Sequence, residues 1–443
     1  MHRYWIAALL LMVRPALAED LMEIYRQAQA SDPVFAAARA HYEANVEKLS
    51  QGRAQLLPVV NLSASSTDTD LRSRSPTVDG TYRFGTDGYS LNLTQPLYRK
   101  QNSASYAQGQ YQARQAEFEF VGARHDLILR VTQAYLGALS AQDTHDYSVR
   151  EKTAIERIFA LARRNFSVGT ASLVDVHETE ARLDTARAQE IVAATDLEAR
   201  RETLRALTGQ APGPLTRLKR LDPQPPEPAD VEKWADAAQR ENPTVRARAE
   251  ALEAARQELE KSRAGHFPTL DLTASHSFSD AGGSATGAYS EQRSNQIGIL
   301  FQLPLYQGGA VSSKVRETAA RRDEAGQRLD LAKREAAQLA RQSFLSVLNG
   351  VARVKALEQA LNSNQRALET TILGYERGQR TGVDVLNTQR ELYRTRRDLT
   401  AARYEYLFNR LRLLSAAGQL EDAAIEDINR RLGDNPIGNS GKS

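Results

Sequence analysis

Two periodicities of hydrophobic and polar positions recur along the chain. The first has a period of two. Val60, Leu62 and Ala64 alternate with Asn61, Ser63 and Ser65, and Tyr89, Leu91 and Leu93 alternate with Ser90, Asn92 and Thr94. Further on, Leu270, Leu272, Ala274 and Phe278 share one face, interrupted by His276, and Ile297, Ile299, Phe301, Leu303 and Leu305 share another. Such alternation predicts β-strands with one apolar face, and runs of about ten residues have the span of a tilted strand crossing a bilayer. Aromatic residues sit near the run ends, at Tyr82, Phe84, Tyr98, Phe267, Tyr289 and Tyr306, where the girdles of a membrane barrel form. The stretches Ser66–Gly88 and Ser279–Asn295 are rich in Ser, Thr, Gly and Asp and read as exposed loops. Alternation alone fits a soluble hairpin packed on helices equally well.

The second periodicity is helical. Leu127, Val131, Ala134, Ala138 and Ala141 step by four and three, as do Ile155, Phe159, Ala162 and Phe166. That is a heptad seam, and its small residues let neighbouring helices approach closely. No proline falls between Pro96 and Pro212 or between Pro304 and Pro436. An interior proline costs a helix about 3 kcal/mol, so both gaps permit long helices. A helix over 101–168 would be roughly 100 Å long at 1.5 Å per residue, a length that suits a coiled coil or a tunnel rather than a compact domain.

The whole pattern is written twice. Asp32-Pro33 returns as Asn242-Pro243 and Leu57-Pro58 as Phe267-Pro268. Gln95-Pro96-Leu97-Tyr98 returns as Leu303-Pro304-Leu305-Tyr306, Gly169 as Gly378 and Asp175 as Asp384. A nearly constant offset of about 209 residues indicates an internal two-fold duplication. The first repeat is placed at 19–210, with a helix, a hairpin at about 59–98, a long helix at 101–168 and a return helix at 171–208. The second is placed at 230–432, with a helix, a hairpin at about 269–306, helices at 310–377 and 381–417, and a closing tail. A proline-rich connector covers 211–229, and 433–443 is expected to be a disordered tail.

Composition narrows the class. Of 443 residues, 26% are charged and none is cysteine. That excludes a disulfide scaffold, a thiolate metal site, a cysteine nucleophile and a lipid-modified cysteine. The net charge of +3 argues against a nucleic-acid binder. The only long apolar run is N-terminal. Arg3, the apolar stretch Trp5–Val13 and Ala16-Leu17-Ala18 have the grammar of a signal peptide over 1–18. Removing it takes Arg3 and Arg14 away, lowers the charge from +3 to +1, and implies export. Four strands alone cannot cross a membrane, because each unpaired edge group in lipid costs several kcal/mol. Closure between three copies would give about twelve strands and a pore.

Signal peptide, duplication, hairpins and long helices together resemble the TolC family of outer-membrane export factors, from about Asp20 to about Leu432. The most specific motifs are the turns Phe166-Ser-Val-Gly-Thr-Ala-Ser-Leu-Val-Asp-Val and Tyr375-Glu-Arg-Gly-Gln-Arg-Thr-Gly-Val-Asp-Val-Leu, with the closing Leu411-Arg-Leu-Leu-Ser-Ala-Ala-Gly. The resemblance implies an α+β membrane protein. It would be a homotrimer with a 12-stranded β-barrel (four strands per chain), a long α-helical coiled-coil tunnel and a small equatorial region built from the connector and the C-terminal segment. It implies a passive exit duct for a tripartite efflux pump or type I protein secretion system. The partners would be outer-membrane lipid, a periplasmic adaptor (membrane fusion protein) and an inner-membrane transporter of the ABC or RND type. No nucleic acid and no cofactor are expected.

Both turns also have a local physical reading. Gly169 and Gly378 sit where a helix reverses, which favours a left-handed residue. Ser172-x-x-Asp175 and Thr381-x-x-Asp384 fit capping boxes that open the next helix. Capping alone accounts for both aspartates. The resemblance adds an entrance gate: Asp175, Tyr375 and Arg380 match residues that link helix pairs, and Asp384 matches a carboxylate ring around the entrance. Asn387 stands at the second acidic ring position, so the double ring is not expected here.

Other chemistry is absent from the pattern. The seven histidines show no metal spacing, His177-Glu178 lacks a second histidine, and Gly441-Lys442-Ser443 has no phosphate-loop context. An enzyme is therefore not expected. The alternative class is a periplasmic coiled-coil adaptor or structural protein without a pore.

Overall fold

The computed structural model describes residues 18–74, 77–219, 221–284, 286 and 288–433. The segment expected to be a signal peptide, apart from Ala18, and the tail from residue 434 lie outside the described residues. The chain divides into two units. One draws on the described parts of Met1–Arg39, Val121–Pro243 and Lys333–Ser443, and the other is Ala40–Phe120 with Thr244–Ala332.

The described elements run α1 (Leu21–Ser31), α2 (Pro33–Ala54), β1 (Val59–Arg74), β2 (Asp79–Arg99), α3 (Lys100–Ser167) and α4 (Leu173–Thr208). After the connector come α5 (Val231–Glu241), α6 (Pro243–Arg263), β3 (Thr269–Ala281), β4 (Ser290–Gln302), α7 (Ala310–Glu376), α8 (Gly382–Ala416) and α9 (Asp422–Arg431). The leading helix of each half is broken at its proline. Pro33 and Pro243 occupy the first turn of α2 and α6, where a missing N–H costs nothing. Asp32 accepts from the Phe35 N–H at 3.0 Å and so caps α2.

In the unit of Ala40–Phe120 and Thr244–Ala332 the four strands form one antiparallel sheet, ordered β1-β2-β3-β4. The central pairing, β2 with β3, joins strands from the two halves of the sequence. Pro96 has no N–H to donate, and the ladder shifts register between Pro96 and Tyr98. Among the described residues β1 and β4 pair along one edge only.

The register sorts side chains by face. Val60, Leu93, Ala274 and Ile297 stand in one row, followed by Leu62, Leu91, His276 and Asn295, then Ala64, Tyr89, Phe278 and Arg293. The opposite face carries Asn61, Asn92, Ser275 and Gln296, then Ser63, Ser90, Ser277 and Ser294. The apolar face is uncovered within the chain: Leu62 is 72% exposed and Ile297 79%. Leu270 to Phe278 spans about 27 Å along the strand, or about 20 Å at a 40° tilt, close to the ~25 Å apolar band of outer-membrane barrels.

The polar stretches expected as loops are mostly strand. β1 continues to Arg74 and β2 starts at Asp79, paired residue by residue through Ser66↔Asp87 and Asp70↔Arg83. β3 runs to Ala281 and β4 starts at Ser290. Ladder hydrogen bonds come from the backbone, so polar side chains do not end a strand whose partner is in place. At the other end β4 stops at Gln302 rather than 306, ahead of Pro304, which cannot donate.

Helix contact beside the sheet depends on two glycines. A Cβ on Gly109 of α3 would stand 2.6 Å from the Lys48 carbonyl oxygen of α2, and one on Gly52 would stand 3.0 Å from the Tyr106 backbone. Only glycine permits that approach.

In the other unit the connector is pinned rather than free. The Trp234 indole donates to the Pro228 carbonyl at 2.9 Å, and the Tyr406 hydroxyl donates to the Gln224 carbonyl at 2.9 Å. Short bridges pair Glu19 with Leu215 and Leu218 with Leu432. Tyr135, fully buried on α3, reaches the carbonyls of Glu19 and Thr216 at 3.1 and 3.0 Å. Burial pushes its hydroxyl pKa well up.

Candidate functional site: the helix-reversing turns and the seam behind them

Each long helix ends in the same way. Gly169 has φ +79° and Gly378 φ +72°, the left-handed conformation that closes a helix at little cost on glycine. The Thr170 N–H donates to the Asn165 carbonyl at 2.8 Å, and the Gln379 N–H to the Gly374 carbonyl at 2.8 Å. Ser172 then caps α4: the Asp175 N–H donates to its hydroxyl at 3.1 Å and the Ser172 N–H to the Asp175 carboxylate at 3.0 Å. Thr381 and Asp384 repeat the box on α8 at 3.2 and 3.0 Å. Hydrogen bonds from the Thr381 backbone and hydroxyl, with Arg380 nearby, hold the Asp384 carboxyl below the usual carboxylate range. Both aspartates are the third-position partners of capping boxes whose caps are Ser172 and Thr381.

The two turns share a cleft of about 520 Å³. Asp175, Thr179, Tyr375 and Arg380 line it together with Ile158 and Leu161. The cleft therefore gathers three of the five residues expected at an entrance gate. Tyr375 packs beside Gly382, and the stem of Arg380 crosses Gly374, where a Cβ would stand 2.9 Å away. Asp384 and Asn387 lie outside the cleft lining. Asn387 accepts from Arg182 of α4 at 3.3 Å. Just behind, Ile155, Leu183, Ala186 and Leu386 form a small core joining α3, α4 and α8.

Further from the turns, the seam between α3 and α8 is polar, which heptad counting did not reveal. The Tyr404 hydroxyl donates to Asp143 at 2.7 Å, Tyr147 meets Thr400 at 3.3 Å, and Arg397 donates to Glu151 at 2.8 Å. The α3 partners are spaced by four residues, one per turn, and the α8 partners descend in antiparallel order. Glu151 is only 5% exposed and Arg397 25%. Burial raises the Asp143 carboxyl pKa, opposed by the Tyr404 hydrogen bond and Arg217. The sequence signal was the interruption of the apolar seam between Ala141 and Ile155.

The family described as Outer membrane efflux protein matches residues 24–210 and again 234–419. The chain belongs to this family. It is similar to the Outer membrane protein TolC of Escherichia coli (strain K12), 31% identical over 424 residues that cover 94% of this chain and 85% of that protein. It is also similar to the Alkaline protease secretion protein AprF of Pseudomonas aeruginosa, 32% identical, covering 95% and 89%. A solved membrane protein from Pseudomonas aeruginosa has the same fold, with a TM-score of 0.79 at 20% identity over 91% of this chain and 93% of that one. Like other members of this family of transport proteins, the chain is an outer-membrane export or efflux channel of the TolC type and not an enzyme. It resides in the outer membrane with its helical region in the periplasm. No helix among the described residues is long and apolar enough to cross a membrane.

Proposed function

We propose that three copies of this chain form a passive exit duct, shut at its periplasmic end by the two helix-reversing turns. The carrying observation is the sheet, with its apolar outer face, its polar opposite face and its two free edges. Pairing β1 of one copy with β4 of the next removes every edge and gives twelve strands, satisfying backbone groups that lipid would leave unpaired. With strands about 4.8 Å apart and tilted about 40°, twelve close at a backbone radius of about 12 Å. The Ser and Asn rows then line a water-filled lumen.

The two family matches, 24–210 and 234–419, support a tandem duplication of one helix–hairpin–helix unit. The signal peptide, the repeats at 19–210 and 230–432 and the linker at 211–229 complete the reading. The duct carries no nucleotide motif, so energy comes from an inner-membrane transporter, ABC or RND, through a periplasmic adaptor. Its similarity to a protease secretion protein makes protein export a candidate task beside efflux.

Gating is a movement of helix pairs. Tyr375, Arg380 and Asp175 line one cleft, and in this reading they link the helix pairs at rest, while opening carries α7 and α8 away from α3 and α4. The capping boxes at Asp175 and Asp384 keep the helix starts rigid while they move, and three copies of Asp384 would make the entrance favour cations. Any such movement shears the Asp143–Tyr404, Tyr147–Thr400 and Glu151–Arg397 ladder. Bilayer recordings test this: Tyr375→Phe with Arg380→Ser raises resting conductance, and a double variant as closed as wild type would refute the gate.

A further inference from the structure

The first hairpin outruns the second. β3 ends at Ala281, opposite Thr86, and the Gly282 N–H donates to the Gly85 carbonyl at 2.8 Å. β1 and β2 stay paired beyond this level, from Asp68↔Gly85 to Arg74↔Asp79. Along the extension the apolar face changes sides. In the band, the apolar positions are Val60 and Leu62 on β1 and Tyr89, Leu91 and Leu93 on β2. The same parity further out is Asp68, Asp70, Arg72 and Arg74 on β1, and Asp79, Thr81 and Arg83 on β2. Arg83 pairs with Asp70 there at 2.9 Å. The other face, which carries Asn61, Ser63, Ser90 and Asn92 in the band, now carries Leu71, Tyr82 and Phe84. The register is unbroken from Val59↔Thr94 to Arg74↔Asp79, so the inversion lies in the side chains and not in a slipped strand.

These three residues are positioned by packing. Leu71 stands opposite Tyr82 and Thr69 opposite Phe84. The Tyr82 ring leans over Gly80, where a Cβ would lie 3.3 Å from it, and Phe84 covers Gly283 of the second hairpin, where a Cβ would lie 2.9 Å away. Tyr82 and Phe84 are half-buried, while Thr81, Arg83 and Gly85 are exposed. A hairpin wet on both faces has no need to reverse its polarity. A hairpin with lipid below, water outside and an axis inside does.

We propose that Leu71, Tyr82 and Phe84 form an apolar constriction on the lumen side of the external mouth, repeated three times around the axis, which selects what leaves. Polar rows lower down solvate ions, whereas an apolar ring resists hydrated ions by dewetting. It is wetted instead by apolar or amphipathic solutes and unfolded chain segments. This rests on the trimeric duct proposed above.

The chain contains no cysteine, so single-cysteine variants report one position each. Full-length Tyr82→Cys and Thr81→Cys channels, each also carrying Tyr375→Phe and Arg380→Ser so that the entrance turns do not limit the current, are recorded in planar bilayers while a charged, impermeant methanethiosulfonate reagent is added to the external side. The expected result is a change of about twofold or more in single-channel conductance at Tyr82→Cys, with Thr81→Cys unchanged. Leu71→Cys against Arg72→Cys repeats the comparison on β1 and guards against a variant that fails to fold. An equal response on both faces, or none on either in a channel that conducts, overturns the constriction and leaves the duct standing. No current from the wild-type protein overturns the duct reading and the constriction with it.

Discussion

Replacing Glu151 by glutamine should loosen the resting channel without touching the cleft at the turns. Glu151 accepts from Arg397 at 2.8 Å. At an effective dielectric of about 20 two charges about 4 Å apart attract by about 4 kcal/mol. Desolvation offsets part of this, and Arg397 is 25% exposed, which leaves about 1–2 kcal/mol for each copy. If opening separates α8 from α3 in all three copies, the closed state loses about 3–6 kcal/mol, and each 1.4 kcal/mol is tenfold in the equilibrium. Resting conductance in planar bilayers should rise at least about tenfold, and cells carrying the variant should admit a large hydrophilic antibiotic. The charge swap Glu151→Arg with Arg397→Glu should restore closure. If Glu151→Gln lowers trimer stability yet leaves conductance at the wild-type level, the ladder supports the fold but is not sheared on opening.

Three other outcomes follow from the same contacts. Burial alone would raise the Asp32 carboxyl pKa, but hydrogen bonds from Arg130 and the Phe35 N–H outweigh it and hold it below the usual range. Its contribution is therefore full above the unfolded value and lost as pH falls through the folded one. Asp32→Asn should cost about 2 kcal/mol at neutral pH, and denaturant titrations should show the difference shrinking below about pH 4; a difference independent of pH would contradict this. Gly378→Ala, at φ +72°, should cost about 1 kcal/mol and lower the heat stability of the trimer, whereas an unchanged melting point would argue for a relaxed turn. Gly109→Ala should cost about 1–3 kcal/mol, because its Cβ meets the Lys48 carbonyl oxygen at 2.6 Å; a thermal melt equal to wild type would mean that α2 yields freely.

Legibility in the sequence followed the physics of each feature. The apolar stripe of Leu62, Leu91 and Ile297 was readable because strand parity acts on single side chains. It marked the width of the apolar band and not the ends of the strands. The Ser66–Gly88 stretch hid its ladder because backbone pairing leaves no apolar trace. Gly169, Gly378 and the two capping boxes were readable as turns from local chemistry. That Asp175, Tyr375 and Arg380 line one cleft depends on packing two helix pairs side by side, which no local pattern encodes. Asp143, Tyr147 and Glu151 carry no sequence signal of their own for a similar reason: on one helix they resemble a solvated face, and only the arrival of Tyr404, Thr400 and Arg397 turns them into a seam. The connector reads as a stiff spacer, but the hydrogen bond from Tyr406 to its Gln224 carbonyl comes from far along the chain, which composition cannot show.

A duct closed at its helix-reversing turns should pass little current until those turns part. The most direct measurement is the single-channel conductance of purified wild-type trimer beside Tyr375→Phe with Arg380→Ser in the same bilayer. Wild type should show a small resting conductance and the double variant a severalfold larger one, with the trimer intact in both. Equal conductances from intact trimers would contradict this and place the closure elsewhere.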